Sequence, residues 1–232
     1  MAKLAKRSKA NVEMAPKSAL PLKEAVATLK KFKGPRFDQT VEVVMHLGVD
    51  VKQADQMIRG SVSLPKGIGK SKRVVAFCQS DVTDDALAAG AVKAGGEELV
   101  DEIAKGWQDF DVAVASPDMM RVVSKLGKVL GPKGLMPSPK AGTVTPKVAD
   151  AVKEYSAGKV EYRTDKTGNV HAVVGKMSFP DGDLAENLEF FIETIEKAKP
   201  STVKGTYIKK IAVSGTMTPG VQVEYTDAAE TA

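Results

Sequence analysis

The chain has 232 residues, 43% hydrophobic and only 5% aromatic, with one cysteine and a formal net charge of +5. That length supports a full hydrophobic core in one or two domains, and the lone Cys78 excludes an internal disulfide framework. No apolar run approaches the ~18–20 residues that span a bilayer, and charges interrupt the basic N-terminal stretch where a secretory signal needs an apolar core, so a cytosolic protein without a membrane partner is expected.

Residues 1–16 are polar and aperiodic, which predicts a mobile basic arm. The excess positive charge sits there: Met1 to Arg36 hold ten Lys/Arg against Glu13 and Glu24. Pro21 then opens a helix whose Leu22, Val26, Leu29 and Phe32 fall at helical spacing, and Gly34-Pro35 stops it. Next, Val41, Val43, Met45 and Leu47 alternate with Thr40, Glu42, Val44 and His46. That period of two predicts a half-buried strand with a partly polar outer face. A short helix from Asp50 to Ile58 and a strand from Gly60 to Leu64 follow.

Pro65-Lys66-Gly67-Ile68-Gly69-Lys70 reads as a linker. Beyond it the texture changes to short apolar strands alternating with helices. Strands Arg73–Cys78 and Phe110–Ala115 alternate with helices Thr83–Ala94, Glu97–Lys105, Pro117–Leu126 and a last one from Thr145 or Pro146 to about Tyr155. This alternation predicts a small parallel or mixed sheet with helices on both faces. At Ala157-Gly158 the first texture returns. Strands Val160–Thr164 and Asn169–Val174 flank the turn-rich Asp165-Lys166-Thr167-Gly168, which predicts a hairpin. An amphipathic helix over Leu184–Ala198 and strands Tyr207–Val213 and Gly220–Tyr225, separated by the turn Ser214–Pro219, complete the chain.

Neither flanking segment closes a sheet alone. The sequence therefore predicts an α+β two-domain protein, in which a split α/β sandwich is built from residues 1–66 plus 160–232. Residues 67–159 form an inserted Rossmann-like α/β three-layer domain, reached through two adjacent linkers that act as a hinge.

Leu130–Thr143 contains three Pro, three Gly and two Lys, with no acid. Such a segment forms a shaped loop rather than a helix or central strand, able to hold an anion or merely to pack. It lies inside Met119–Ala149, which carries Arg121, Lys125, Lys128, Lys133, Lys140 and Lys147 and again no acid. Clustered positive charge attracts polyanions, nucleic acid above all.

Catalytic equipment is missing. Gly67-Ile68-Gly69-Lys70-Ser71 resembles the tail of a phosphate-binding loop, but Leu64 stands where the first Gly is required. His46 and His171 lie on separate strands without a further ligand at metal spacing. No Gly-x-Ser-x-Gly elbow occurs, and Cys78, at the end of an apolar run, has no local base. No enzyme activity, cofactor or metal is expected. Binding fits better: Arg36, Phe37, Thr40, Thr216, Met217, Thr218 and Lys210 combine a ring, an apolar tip, hydroxyls and cations, the mixture by which proteins read folded RNA.

Several motifs resemble the ribosomal protein L-one family of the large subunit in its bacterial form. These are Phe37-Asp38-Gln39-Thr40-Val41-Glu42, Asp55-Gln56-x-x-Arg59-Gly60, Leu64-Pro65-Lys66-Gly67-x-Gly69, Leu130-Gly131-Pro132-Lys133-Gly134-Leu135-Met136-Pro137, Asp165-Lys166-Thr167-Gly168, Val174-Gly175-Lys176 and Thr216-Met217. The resemblance implies a structural ribosomal protein, a monomer when free, that binds the large-subunit rRNA stalk, assists release of deacylated tRNA from the exit site and represses translation of its own operon mRNA. By position it implies rRNA and mRNA contacts from Arg36, Phe37, Thr40, Glu42, Lys166, Thr167, Thr216, Met217 and Thr218. Lys210, standing where the family more usually has a small hydroxyl residue, adds a phosphate contact. Glu42 is expected to accept from a ribose hydroxyl or base amine, or to orient a cation. Lys128, Lys133 and Lys140 are expected on a tRNA or second RNA surface. Thr218 departs from the family's usual Gly, and a need for positive φ there would strain it. Two other readings stay open: a DNA-binding regulator, and a sugar-phosphate-binding enzyme using the inserted domain.

Overall fold

The computed structural model describes residues 5–53 and 55–225. The chain is mixed helix and sheet, and it falls into two compact units: residues 1–69 with 162–232, and residues 70–161.

The first unit is built on a four-stranded antiparallel sheet, order β7-β1-β8-β9, from β1 (Thr40–Leu47), β7 (Asn169–Lys176), β8 (Ile208–Gly215) and β9 (Val221–Val223). On one face Val41, Val43, Met45, Val170, Val174, Ile211, Val213 and Val221 are fully buried. They pack beneath α2 (Leu22–Lys31) and α8 (Asp181–Lys197), which contribute Ala25, Val26 and Leu29 and Leu184, Leu188, Phe191 and Ile195. Toward the other face the alternation in β1 leaves Thr40, Glu42, Val44 and His46 at least partly solvated. β2 (Arg59–Val62) and β6 (Val160–Arg163) form a separate two-stranded sheet.

Asn187, fully buried on α8, ties the segment after β2 in place. Its Oδ1 accepts from the Lys66 N–H at 3.1 Å, while Nδ2 donates to the carbonyls of Gly67 at 3.0 Å and Val174 at 2.8 Å. A buried amide with its capacity used this fully is held in one orientation.

The second unit has a parallel sheet, order β4-β3-β5, made of β3 (Val74–Phe77), β4 (Lys93–Gly95) and β5 (Val112–Ala115). α3 (Ser80–Ala88) and α7 (Val148–Ser156) pack on Val74, Ala76 and Val114. α4 (Glu97–Ala104) and the helical turns α5 (Met120–Val123) and α6 (Gly127–Leu130) cover Val75, Phe77 and Ala113. A strand buried on both sides reads as a continuous apolar run, as β3 does.

Several expectations need correction. Residues 6–14 of the expected arm form α1, anchored where Asn11 donates from Nδ2 to the Lys33 carbonyl and accepts from the Lys33 N–H, both at 3.0 Å; residues 1–4 lie outside the described residues. The described residues of the expected Asp50–Ile58 helix form turns, because the Asp50 carboxylate and the Gln53 and Gln56 amides bond one another and nearby backbone. The helix expected to reach Ala94 ends at Ala88. Gly90, at φ +105°, allows the Ala91 N–H to reach the Ala86 carbonyl, and the chain turns into β4. The helix after Pro117 is broken into α5, a 3₁₀ turn and α6, with the Ser124 hydroxyl bonding back to the Met120 carbonyl at 2.6 Å. The hairpin of Val160–Thr164 with Asn169–Val174 reduces to the bridge Thr164↔Val170, after which β6 and β7 join different sheets.

Candidate nucleic-acid interface

The open face of the four-stranded sheet is organised in rows by its register. Across β7, β1 and β8 the outward positions read Val173–Glu42–Ser214, then His171–Val44–Ala212, then Asn169–His46–Lys210. Val44 and Ala212 lie in the middle row beside His171, the carboxylate of Glu42 and the hydroxyl of Ser214 in one end row, and Asn169, His46 and the cation Lys210 in the other. That pattern suits a surface that stacks on sugar or base and borders phosphate.

At one end, the entry of β1 is tied to the exits of both neighbouring strands. The Thr216 N–H donates to the Thr40 carbonyl at 3.1 Å, and the Thr40 N–H donates back to Thr216 Oγ1 at 3.2 Å. The buried Gln39 side chain accepts from the Met217 N–H at 2.8 Å, while its carbonyl accepts from the Met177 N–H at 2.9 Å. Lys176 Nζ donates to Thr40 Oγ1 at 2.9 Å, and Ser178 bonds the Asp38 carboxylate through both its N–H and its hydroxyl. Phe37 and Met217, flanking this junction, are 52% and 53% exposed, so neither is a core residue. Arg36 is exposed beside them.

Thr218 is not strained. No described non-glycine residue has positive φ, and the Thr218 hydroxyl accepts from the Gly215 N–H at 2.8 Å while its own N–H returns to the Gly215 carbonyl at 3.1 Å. The expected cost of replacing Gly here is therefore absent: the side chain closes the turn. Glu42 is exposed between Val173 and Ser214, so its neighbours across the strands are neutral.

Lys166, Thr167 and Lys210 lie at the opposite end of the sheet, about 20 Å along β1 from Thr40 at ~3.4 Å per residue. There the Asp165 carboxylate accepts from the N–H groups of Thr167 and Asn169 and from the Thr167 hydroxyl, all at 2.8 Å, and faces His171 Nε2 at 3.5 Å. These donors, the Asn169 N–H foremost, hold the carboxyl well below its ordinary range. Asn169 continues the chain, donating to Thr167 Oγ1 and bonding His46 Nδ1, each at 2.8 Å. Gly168, at φ +83°, lets the turn dock on β1, where its carbonyl accepts from the Leu47 N–H at 2.9 Å. Lys166 and Thr167 are thus presented by a rigid turn.

Sequence reasoning missed Asn169, His171 and Lys176 as members of this face, and the buried Gln39 as the side chain that holds its junction. The alternation of β1 pointed to His46. Which residues of β7 stand beside it depends on register, which alternation alone does not specify.

In the second unit, Arg121, Lys125 and Lys128 are all exposed along the helical turns, and the exposed Lys133 donates to Gln108. Residues 131–138 follow, the Pro139–Ala141 turn is held by the Tyr155 hydroxyl on the Ala141 carbonyl at 2.6 Å, and Val144 bridges β5. The Pro/Gly segment therefore crosses from the α5–α6 layer to the α7 layer. Lys128 and Lys133 belong to the first part, and the exposed Lys140 to the crossing itself. Cys78 is buried, and burial pushes its thiol up, away from nucleophilic reactivity. Among the described residues no group of three or more His, Cys, Asp or Glu is placed to hold a metal ion, and no helix is long and apolar enough to cross a membrane.

Compared with known proteins, residues 29–219 match the model of the Ribosomal protein L1p/L10e family.

Proposed function

The chain belongs to that ribosomal protein family, and from this premise we propose that the open sheet face of the first unit is its binding surface for the large-subunit rRNA stalk. Membership makes it a structural RNA-binding protein of the large ribosomal subunit in the cytoplasm, not an enzyme. The observation that carries the proposal is the junction at the entry of β1, where Gln39 and Thr40 are bonded to Thr216 and Met217 while the Phe37 ring and Met217 thioether stay exposed. The buried Gln39 side chain and the paired Thr40 and Thr216 hold the turn in place, and the groups it presents suit ribose and base rather than a protein core.

In this reading Phe37 and Met217 pack on sugar or base. Thr40, Thr216 and Thr218 lie where ribose hydroxyls pass, and Arg36 serves phosphate. Lys166, Thr167 and Lys210 contact a second stretch of the same RNA about 20 Å away, the span of β1 between the two ends. Glu42, with only neutral neighbours across the strands, accepts from a ribose hydroxyl or base amine. The same surface binds the operon mRNA when it folds into a similar shape, which is how repression would arise. Residues 67–159 form the inserted domain in this scheme, and residues 1–66 with 160–232 the RNA-binding one. Lys128, Lys133 and Lys140 in the inserted domain meet deacylated tRNA as it leaves the exit site.

Filter binding to a structured large-subunit rRNA fragment, against duplex DNA of equal length and across a salt series, tests the main reading. Preference for the RNA, with a large loss on replacing Phe37 and Met217 by Ala, is expected. Equal or better binding to DNA would favour a DNA regulator and overturn the proposal. Replacing Lys133 and Lys140 by Ala is expected to spare fragment binding and slow tRNA release.

A further inference from the structure

The open face does not end at β8. In β8 the register slips between His46 and Leu47, so Lys209 and Lys210, adjacent in sequence, are both exposed. A bulge of this kind re-aims side chains that strict alternation would send to opposite faces. Beside it, Ala212 pairs with Gln222 and Ile211 with Val223, and continuing that register sets Glu224 next to Lys210. The Glu224 N–H is held by the Leu20 carbonyl at 2.8 Å, and the Tyr225 hydroxyl by Glu196 at 2.5 Å, which fixes the end of this strand. Between these groups lies a cavity of about 250 Å³ lined by Lys209, Lys210, Gln222, Glu224 and Tyr225.

We propose that this cavity is a subsite for one unpaired guanine nucleotide of the RNA held by the open sheet face, with Glu224 and Gln222 reading the base and the Lys209–Lys210 pair holding its phosphate. The inference rests on the RNA-binding reading above and goes beyond it. The base follows from the donors and acceptors present. An ionised carboxylate only accepts, and guanine alone offers two neighbouring N–H groups, N1–H and the 2-amino group, on its pairing edge. The guanine O6 then takes a donor, which the Gln222 amide supplies. Adenine and cytosine each place one amine beside a ring acceptor, so the carboxylate would face a lone pair. Two adjacent lysines supply the positive charge that a phosphate requires, and the exposure of Lys209, Lys210 and Glu224 keeps the site accessible to a base that leaves its stack.

The test is a nitrogen-15 NMR titration of the full chain with 5′-GMP, 5′-AMP, 5′-CMP and inorganic phosphate in parallel. Expected are shifts of the Gln222 side-chain amide and of the backbone amides over 209–212 and 222–225, with GMP at least about fivefold tighter than AMP or CMP. Glu224→Gln is expected to abolish that preference while leaving some nucleotide binding through the lysines, and Gln222→Ala to weaken it. Equal shifts from all nucleotides, shifts reproduced by inorganic phosphate alone, or no response at these positions would each overturn the inference. Measured beside it, binding of the wild-type chain to the rRNA fragment separates the two failures. Fragment binding without guanine preference sinks the subsite alone, and loss of both sinks the RNA reading as well.

Discussion

Replacing Gln39 by Ala tests the central junction most directly. The side chain is 3% exposed, and its Oε1 accepts from the Met217 N–H at 2.8 Å. Removing it strands that donor, which costs about 1–3 kcal/mol of folding stability for a partly buried group. The turn keeps its other bonds, Thr216 to Thr40 and Thr218 to Gly215 at 3.1 Å each, so it loosens rather than unfolds. If RNA binds the ordered turn, affinity falls by the fraction of molecules that lose that order. A local cost of about 1 kcal/mol therefore weakens Kd by up to roughly fivefold, the full factor being reached where the ordered turn becomes the minor state. Urea denaturation gives the stability loss, and filter binding to the rRNA fragment gives the affinity. A chain destabilised as expected that binds RNA as tightly as wild type would refute the claim that this junction presents the interface.

Asn187→Ala supplies the contrast: it strands the Lys66 N–H and two carbonyls on the helical side of the sheet, and it is expected to cost about 2–4 kcal/mol in urea with RNA affinity unchanged at temperatures where the chain is folded. Asp165 is ionised more readily folded than unfolded, so its stabilising effect is complete above the ordinary carboxylate pKa of about 3.9 and fades as pH falls below it. Acid unfolding of Asp165→Asn is accordingly expected to be flatter than wild type in that range, and a parallel curve would count against the turn network. Tyr207 is buried, its hydroxyl has no hydrogen-bond partner among the described residues, and burial pushes it up to about 12. Its neutral form is favoured in the fold, so stability is expected to drop as pH rises from about 10 toward 12, by at most about 3 kcal/mol; Tyr207→Phe should remove that drop in a thermal-melt series.

Much of this was legible from residues alone, for physical reasons that differ by element. β1 announced itself because Val41, Val43, Met45 and Leu47 share a buried face and the polar residues between them do not. α8 did so through the stripe Leu184, Leu188, Phe191 and Ile195. Elements whose ends depend on competition between side chain and backbone were misjudged. Asp50 and its glutamines prevented a helix, Ser124 broke one, and Gly90 stopped another short of the strand that follows. β4, a short edge strand of Lys93-Ala94-Gly95, carries no periodicity to read.

Periodicity, charge and the resemblance of scattered motifs thus determined from the sequence the strongly periodic strands and helices, the clustering of positive charge, and which family to expect. They are properties of neighbours along the chain. What only tertiary structure decided is which residues stand together: Thr40 meets Thr216 across 176 positions, Lys210 falls beside His46 rather than near Phe37, and Thr218 closes its turn without strain. Strand pairing and register come from packing both chain ends against the same two helices. A pattern of period two is satisfied equally well by any partner strand, so it cannot name the one that the fold selects.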